Sequence, residues 1–142
     1  MKFLFASDSF KGTLSSQKTA ELLTKAAREI FPDCRYDSIV VADGGEGSTD
    51  AVLAATNGQK ISLQVHGPLW EDITCSYGIL DQNRAVMEMA AASGLPLVPK
   101  EKKDPRYTTS YGTGEMIADA LKRGYRDISI AIGGSATNDG GI

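Results

Sequence analysis

The sequence predicts an α/β fold, a parallel sheet with helices on its faces, and three observations carry that prediction. Two short apolar runs, Phe3-Leu4-Phe5-Ala6 and Ile39-Val40-Val41-Ala42, have the look of buried strands. Each is followed by a polar, glycine-containing loop and then by a stretch of helical character, so the order strand, loop, helix occurs twice in about sixty residues. Both loops carry hydroxyl and carboxylate side chains. In parallel sheets ligands gather at the carboxyl ends of strands, where such loops lie.

Taken in order, Phe3 to Ala6 forms the first strand and Ser7 to Thr13 the first loop. From Ser15 to Phe31 the residues Ala20, Leu23, Ala26, Ala27 and Ile30 recur at helical spacing. Thr13 or Ser15 serves as its N-cap, and Pro32 marks the stop. Ile39 to Ala42 is the second strand and runs into Asp43-Gly44-Gly45-Glu46-Gly47. Ser48 caps a short helix from Thr49 to Thr56, which Asn57-Gly58 closes. The pattern then changes. Lys60 to Val65 alternates polar with apolar. Ile73 to Leu80 and Arg84 to Met89 flank the turn Asp81-Gln82-Asn83, a hairpin signal. The switch places a domain boundary near Gly67-Pro68, dividing 1–67 from 68–142.

The stretch from Gly94 to Pro105 holds three prolines and several charges and reads as an irregular connection. Gly112 to Arg123 reads as a helix with Met116, Ile117, Ala120 and Leu121 on one face. Glu115 near its start and Lys122-Arg123 near its end suit the helix dipole, and Gly124 is a natural residue to follow it. Asp127 to Ile132 is the last strand. The glycine-rich run Gly133 to Gly141 follows, and Ile142 leaves no room for the helix that such a loop introduces. The chain is therefore expected to be the front portion of a larger protein.

Composition narrows the function. Of 142 residues, 42% are hydrophobic and 23% charged, ordinary for a globular protein. The net charge of -3, from 15 basic and 18 acidic residues, argues against a nucleic-acid footprint, and no basic block suggests a membrane surface. No stretch approaches the length of a transmembrane helix. The apolar start reaches Asp8 too soon for a signal peptide. Cys34 and Cys75 lack metal or redox spacing and read as isolated reduced thiols. The expected compartment is the cytoplasm. Nothing here fixes the oligomeric state.

Four polar loops hold residues suited to phosphate chemistry. In Asp8-Ser9-Phe10-Lys11-Gly12 a carboxylate and a hydroxyl can orient a substrate hydroxyl while the ammonium neutralises phosphate; a capped loop with Lys11 in solvent is the plainer account. Gly44 and Gly45 free backbone amides to approach an anion before a helix start, while Asp43 and Glu46 offer oxygens to magnesium. Alternatively that loop is a tight turn with Glu46 as an acid at a helix start. In Thr108 to Glu115 four hydroxyls, among them Thr109, Ser110 and Thr113, join Gly112 and Gly114 at a helix start as an anion cradle; capping alone explains only one or two of them. In the last loop Gly133 and Gly134 release amides, and Ser135, Thr137, Asn138 and Asp139 supply donors and acceptors. Standard P-loop and dinucleotide fingerprints are absent. His66 reads as structural or exposed, Trp70 as a packing or rim residue, and Met87 and Met89 as core. Glu88, between the methionines, faces the other way and can reach a site.

The blocks Asp8-Ser9-Phe10-Lys11-Gly12, Ala42 to Gly47, Glu88 to Leu95, Thr108 to Glu115 and Gly133 to Gly141, in this order, resemble the bacterial glycerate kinases of the two-domain α/β type. The resemblance covers essentially the whole chain. It implies a Rossmann- or flavodoxin-like first domain with a second α/β domain inserted in it, only partly present here. It implies phosphorylation of D-glycerate by ATP with magnesium, with 2-phosphoglycerate favoured over 3-phosphoglycerate. Asp8, Lys11 and Asp43 are the expected catalytic residues, with Asp139 a third candidate among the carboxylates. Ser9, Gly44, Gly45, Glu46, Thr109, Ser110, Gly112, Thr113, Gly133, Gly134, Ser135, Thr137, Asn138 and Asp139 would bind substrate or phosphate, and Asp43 and Glu46 the metal. The alternatives are a non-catalytic remnant or phosphate-binding module, and a kinase for a related sugar acid.

Overall fold

A computed structural model describes residues 1–10 and 12–141. It divides into two compact units, Met1–Asp43 and Gly44–Ile142. The expected boundary at Gly67-Pro68 instead falls in a hairpin turn within the second unit.

In the first unit β1 (Lys2–Phe5) pairs in parallel with β2 (Arg35–Ser38), and α1 (Ser16–Ile30) connects them. Ser15 caps α1: its hydroxyl accepts the N–H of Lys18 at 3.1 Å. The second strand is not the apolar run Ile39 to Ala42 but the polar segment before it. Ring packing is the reason. Phe3 stacks on Tyr36 with centroids 5.8 Å apart and planes at 9°, and meets Phe31 in a tilted contact at 5.3 Å and 34°. That fixes Phe3 opposite Tyr36, and β1 ends at Phe5, so the ladder closes when Ile39 N–H donates to the Phe5 carbonyl at 2.8 Å. The apolar run lies past the end of the ladder, and Ile39 is 53% exposed.

The second unit is built on one four-stranded sheet in the order β3-β4-β5-β6, comprising β3 (Gln59–His66), β4 (Asp72–Ile79), β5 (Arg84–Glu88) and β6 (Asp127–Ala131). The first three strands are antiparallel neighbours, and β5 runs parallel to β6. The hairpin expected around Asp81-Gln82-Asn83 is present, since β4 pairs with β5 across that turn. Helices α2 (Ser48–Thr56) and α4 (Tyr111–Lys122) pack on the sheet, with the single turn α3 (Ala90–Ser93) after β5. The irregular segment after Gly94 contains two short 3-10 turns, Leu95–Leu97 and Lys100–Lys102. The fold is thus α/β, with parallel pairs and flanking helices.

The core of this unit joins Val65, Cys75, Tyr77, Ala85, Met87, Ala92, Met116 and Ala120. Tyr77, Met87 and Met116 are wholly buried; burying a side chain of this size contributes about 1.5–3 kcal/mol. The Tyr77 hydroxyl donates to Asp119 at 2.8 Å, so the one polar atom of that ring is satisfied. Burial and the Asp119 carboxylate together push its phenol far above the ordinary range. Burial, with Glu115 nearby, pushes the Cys75 thiol up to about 11. Among the described residues no helix is long and apolar enough to cross a membrane.

Candidate active site

The sequence-predicted residues divide between the units. Asp8, Ser9 and Asp43 belong to the first. The Asp8 carboxylate accepts the N–H of Ser9 at 2.7 Å, and the buried Ser9 hydroxyl has no partner among the described residues. Lys11 lies outside the described residues.

In the second unit the loops at the carboxyl ends of β5 and β6 are stitched to those before α2 and α4. The α2 loop turns on Gly44 and Gly47, at φ 89° and 88°. Neither Gly47 nor Ser48 caps the helix; the Ser48 hydroxyl instead donates to the Gly45 carbonyl at 2.7 Å. The cap comes from the end of β5. The Glu88 carboxylate accepts the N–H of Gly47 at 3.2 Å and of Thr49 at 2.8 Å. A carboxylate at a helix N-terminus complements both its open donors and its dipole. The amides of this helix start are therefore met by the chain's own anion.

The glycine-rich loop after β6 reaches three neighbours. Gly133 N–H donates to the Gly44 carbonyl at 2.8 Å. A Cβ at 133 would lie 2.9 Å from that oxygen and from the Gly45 nitrogen, so only glycine fits without a shift. The Gly134 carbonyl accepts the N–H of Leu95 at 2.9 Å, and Ala136 N–H donates to the Ser93 carbonyl at 2.8 Å. The Ser135 hydroxyl accepts the N–H of Thr137 at 3.1 Å. The Thr137 hydroxyl donates to the Thr108 carbonyl at 2.9 Å, and the Thr108 hydroxyl to the Ala136 carbonyl at 2.8 Å.

Asp139 then closes the start of α4. Its carboxylate accepts from Ser110 N–H at 2.6 Å, from the Ser110 hydroxyl at 3.0 Å, from the Thr109 hydroxyl at 3.4 Å and from Gly141 N–H at 3.1 Å. Burial works to raise its pKa, but these donors outweigh burial and hold it below the usual carboxylate range. The Thr113 hydroxyl is spent inside, sharing a 2.8 Å hydrogen bond with Ser93. Gly112 sits where a Cβ would collide with the His66 carbonyl. Thr109, Ser110, Thr113 and Asp139 are thus brought together, but largely to one another. Asn138 is exposed and, with Ser110 and Asp139, lines a cavity of about 690 Å³ whose other wall is apolar, including Met89, Ile117 and Ile130.

Glu46 and Asp43 are both exposed. Among the described residues no group of three or more His, Cys, Asp or Glu side chains converges. Magnesium asks for only one or two carboxylates beside phosphate and water oxygens, and either residue offers a hard oxygen donor of that kind. Three features escaped the sequence. Glu88 was placed on the right face by strand alternation, but its target helix was not readable. Ser93 gave no signal. The His66 imidazole Nδ1 lies 3.1 Å from both carboxylate oxygens of Glu115, whose Oε2 also accepts His66 N–H at 2.7 Å; no local pattern links residues so far apart.

Comparison with known proteins decides the family. The model of the glycerate kinase family matches residues 3–142. The chain belongs to that family. It is 55% identical over 142 residues to glycerate 2-kinase of Escherichia coli K12, covering 99% of this chain and 37% of that protein. It is 49% identical to glycerate kinase of Bacillus subtilis 168, again over 99% of this chain and 37% of the relative. A crystal structure of a candidate glycerate kinase 2 from Salmonella typhimurium LT2 superposes with a TM-score of 0.73 at 47% identity, covering 99% of this chain and 38% of that one. The chain thus spans a little over a third of the length of the relatives it matches.

Proposed function

We propose that the protein to which this chain contributes transfers the γ-phosphoryl group of ATP to D-glycerate, with the 2-hydroxyl as acceptor. The observation that carries this reading is the family match along residues 3–142, joined to the stitching of the glycine- and hydroxyl-rich loops at one end of a sheet. The name of the Escherichia coli relative, a glycerate 2-kinase, supports the choice of hydroxyl.

Phosphoryl transfer asks for positioning and charge neutralisation more than for covalent chemistry. The glycerate oxygen forms the new bond to phosphorus as the bond to the bridging oxygen of ADP breaks, and its proton passes to a carboxylate. Asp8 and Asp43 are the first candidates for that proton, and Asp139, which already accepts four hydrogen bonds, is the third. Lys11 screens the γ-phosphate. Magnesium held by Asp43 or Glu46 would supply further charge neutralisation. The amides of Gly134 and Asn138 and the Ser135 hydroxyl would meet phosphate oxygens.

A coupled assay with ATP and D-glycerate on the intact protein tests this. Turnover should require magnesium, yield 2-phosphoglycerate, and fall at least a hundredfold in Lys11→Ala. Absence of turnover on glycerate, with turnover on another sugar acid or none at all, removes the assignment.

A further inference from the structure

Two large rings stand open to solvent beside the stitched loops. Trp70 is 56% exposed and Tyr111 is 52% exposed. Their centroids lie 5.3 Å apart with planes tilted by 37°. His66 makes edge contacts with both, at 5.9 Å from Trp70 and 5.4 Å from Tyr111, and is itself fixed by Glu115. Rings this close leave no hollow between them for a cation. Their free surface faces outward, as a ledge.

The backbone of Trp70 sets the ledge at a steric cost. Its φ is 68°, a left-handed conformation that bulky side chains rarely adopt. A tight turn imposes it: Gly67 N–H donates to the Glu71 carbonyl at 2.7 Å, Trp70 N–H to the Gly67 carbonyl at 3.1 Å, and Leu69 N–H to the Glu71 carboxylate at 2.9 Å. Glycine would fill that position without strain. The indole is held there against Tyr111 and His66 while more than half of it stays in water, and strain of this kind is retained where a fixed orientation serves a site.

The ledge is continuous with the candidate site. Thr109 N–H donates to the Pro68 carbonyl at 2.9 Å, and Tyr111 N–H to the Thr109 hydroxyl at 3.1 Å. Tyr111 and Glu115 also line the cavity that holds Ser110, Asn138 and Asp139. We propose that Trp70 and Tyr111 form the stacking surface for the planar base of the nucleotide, with the neighbouring hydroxyl- and amide-rich loop serving its ribose and phosphates. The proposal rests on the kinase reading above and names the residues that hold its phosphoryl donor. A ledge reads the face of a base and not its edge, so ATP and GTP should bind alike.

Trp70 is the only tryptophan of these 142 residues, and its emission reports the ledge. The intact protein is titrated with ATP, GTP, adenosine and tripolyphosphate, with Trp70→Phe as the control that isolates the Trp70 emission. Saturable emission changes are expected with ATP and GTP, a weaker one with adenosine, and none with tripolyphosphate. Tyr111→Ala should weaken ATP binding about tenfold while Tyr111→Phe preserves it. Trp70→Gly should keep or raise the thermal midpoint, because glycine suits its φ, yet weaken ATP binding by a similar factor in equilibrium dialysis. The proposal is overturned if no ligand changes the emission, if tripolyphosphate acts as ATP does, or if both variants bind ATP normally. It is overturned equally if emission responds only to protein concentration, which would make the ledge a self-association surface. Failure of the kinase reading looks different: the intact protein would turn over no glycerate. A normal KM for ATP in intact Tyr111→Ala, with turnover intact, sinks the ledge alone.

Discussion

Helices α1 and α4 begin in opposite ways. The first turn of α1 is closed by the residue beside it, Ser15, through the N–H of Lys18. The first turn of α4 is closed by Asp139, 29 positions further along the chain, and α2 is closed by Glu88, 39 to 41 positions away. A local cap forms with its helix. A distant carboxylate arrives only when the sheet that carries it has formed, so the loops before α2 and α4 take their shape from β5 and β6. The contrast also bears on chemistry. Helix starts rich in glycine and hydroxyls invite a phosphate reading, yet here each of the two receives a carboxylate of the chain. The glycine run after β6 likewise spends its Gly133, Ala136, Thr137 and Gly141 amides on acceptors of the chain.

The sharpest way to break the α4 arrangement is at Gly112. An alanine there collides with the His66 carbonyl, a backbone atom at the end of β3 that cannot swing aside. Gly112→Ala should cost about 3 kcal/mol or more, read as a lowered urea midpoint from Trp70 emission. Gly114, two residues on, has open space at its Cβ position, so Gly114→Ala should instead leave that midpoint unchanged or raise it. Equal effects at the two glycines would mean that the close approach to β3 is absent in solution.

Asp139 is the next test. Asp139→Ala removes the acceptor for donors from Ser110, Thr109 and Gly141 and should cost about 2 kcal/mol, with Asp139→Asn losing less. The pH dependence follows from the lowered pKa. A carboxyl depressed by folding contributes its stability above the unfolded value of about 4 and loses it as pH falls through the folded one. The second unit should therefore weaken on the acid side of that value, and Asp139→Asn should flatten this limb. An unchanged acid limb in the variant would show that Asp139 is not what holds α4.

Much of the fold was legible because it is periodic. The apolar spacing from Ala20 to Ile30 and from Met116 to Leu121 reports the helices, and the Asp81-Gln82-Asn83 turn reports its hairpin. The second strand was misplaced because Ile39 to Ala42 looks buried from its own composition, whereas its pairing is decided by where β1 stops and by Phe3 meeting Tyr36. In the site, the loops could be named from glycine and hydroxyl content, but not their partners. Glu88 with α2, Asp139 with α4 and Glu115 with His66 are contacts across 29 to 49 positions, and nothing in a local window encodes them. Trp70 was readable as a rim residue; its left-handed backbone follows from the turn to Glu71, which only the pairing of β3 with β4 reveals.

The smallest effect belongs to the local cap and completes the contrast. Ser15→Ala deletes one neutral hydrogen bond at an exposed helix start and should cost about 1 kcal/mol. Its signature should be confined to α1. Hydrogen exchange should quicken at the Lys18 amide, whose acceptor is gone, and at its neighbours in the first turn, while amides at the centre of the helix keep more of their protection. Asp139→Ala should behave differently, with faster exchange both at the α4 start and across the Gly133 to Gly141 loop, because one carboxylate ties the two together. Should Asp139→Ala loosen only the first turn of α4, the distant cap would be no more than a local one supplied from elsewhere, and the dependence of the loop on its helix would have to be abandoned.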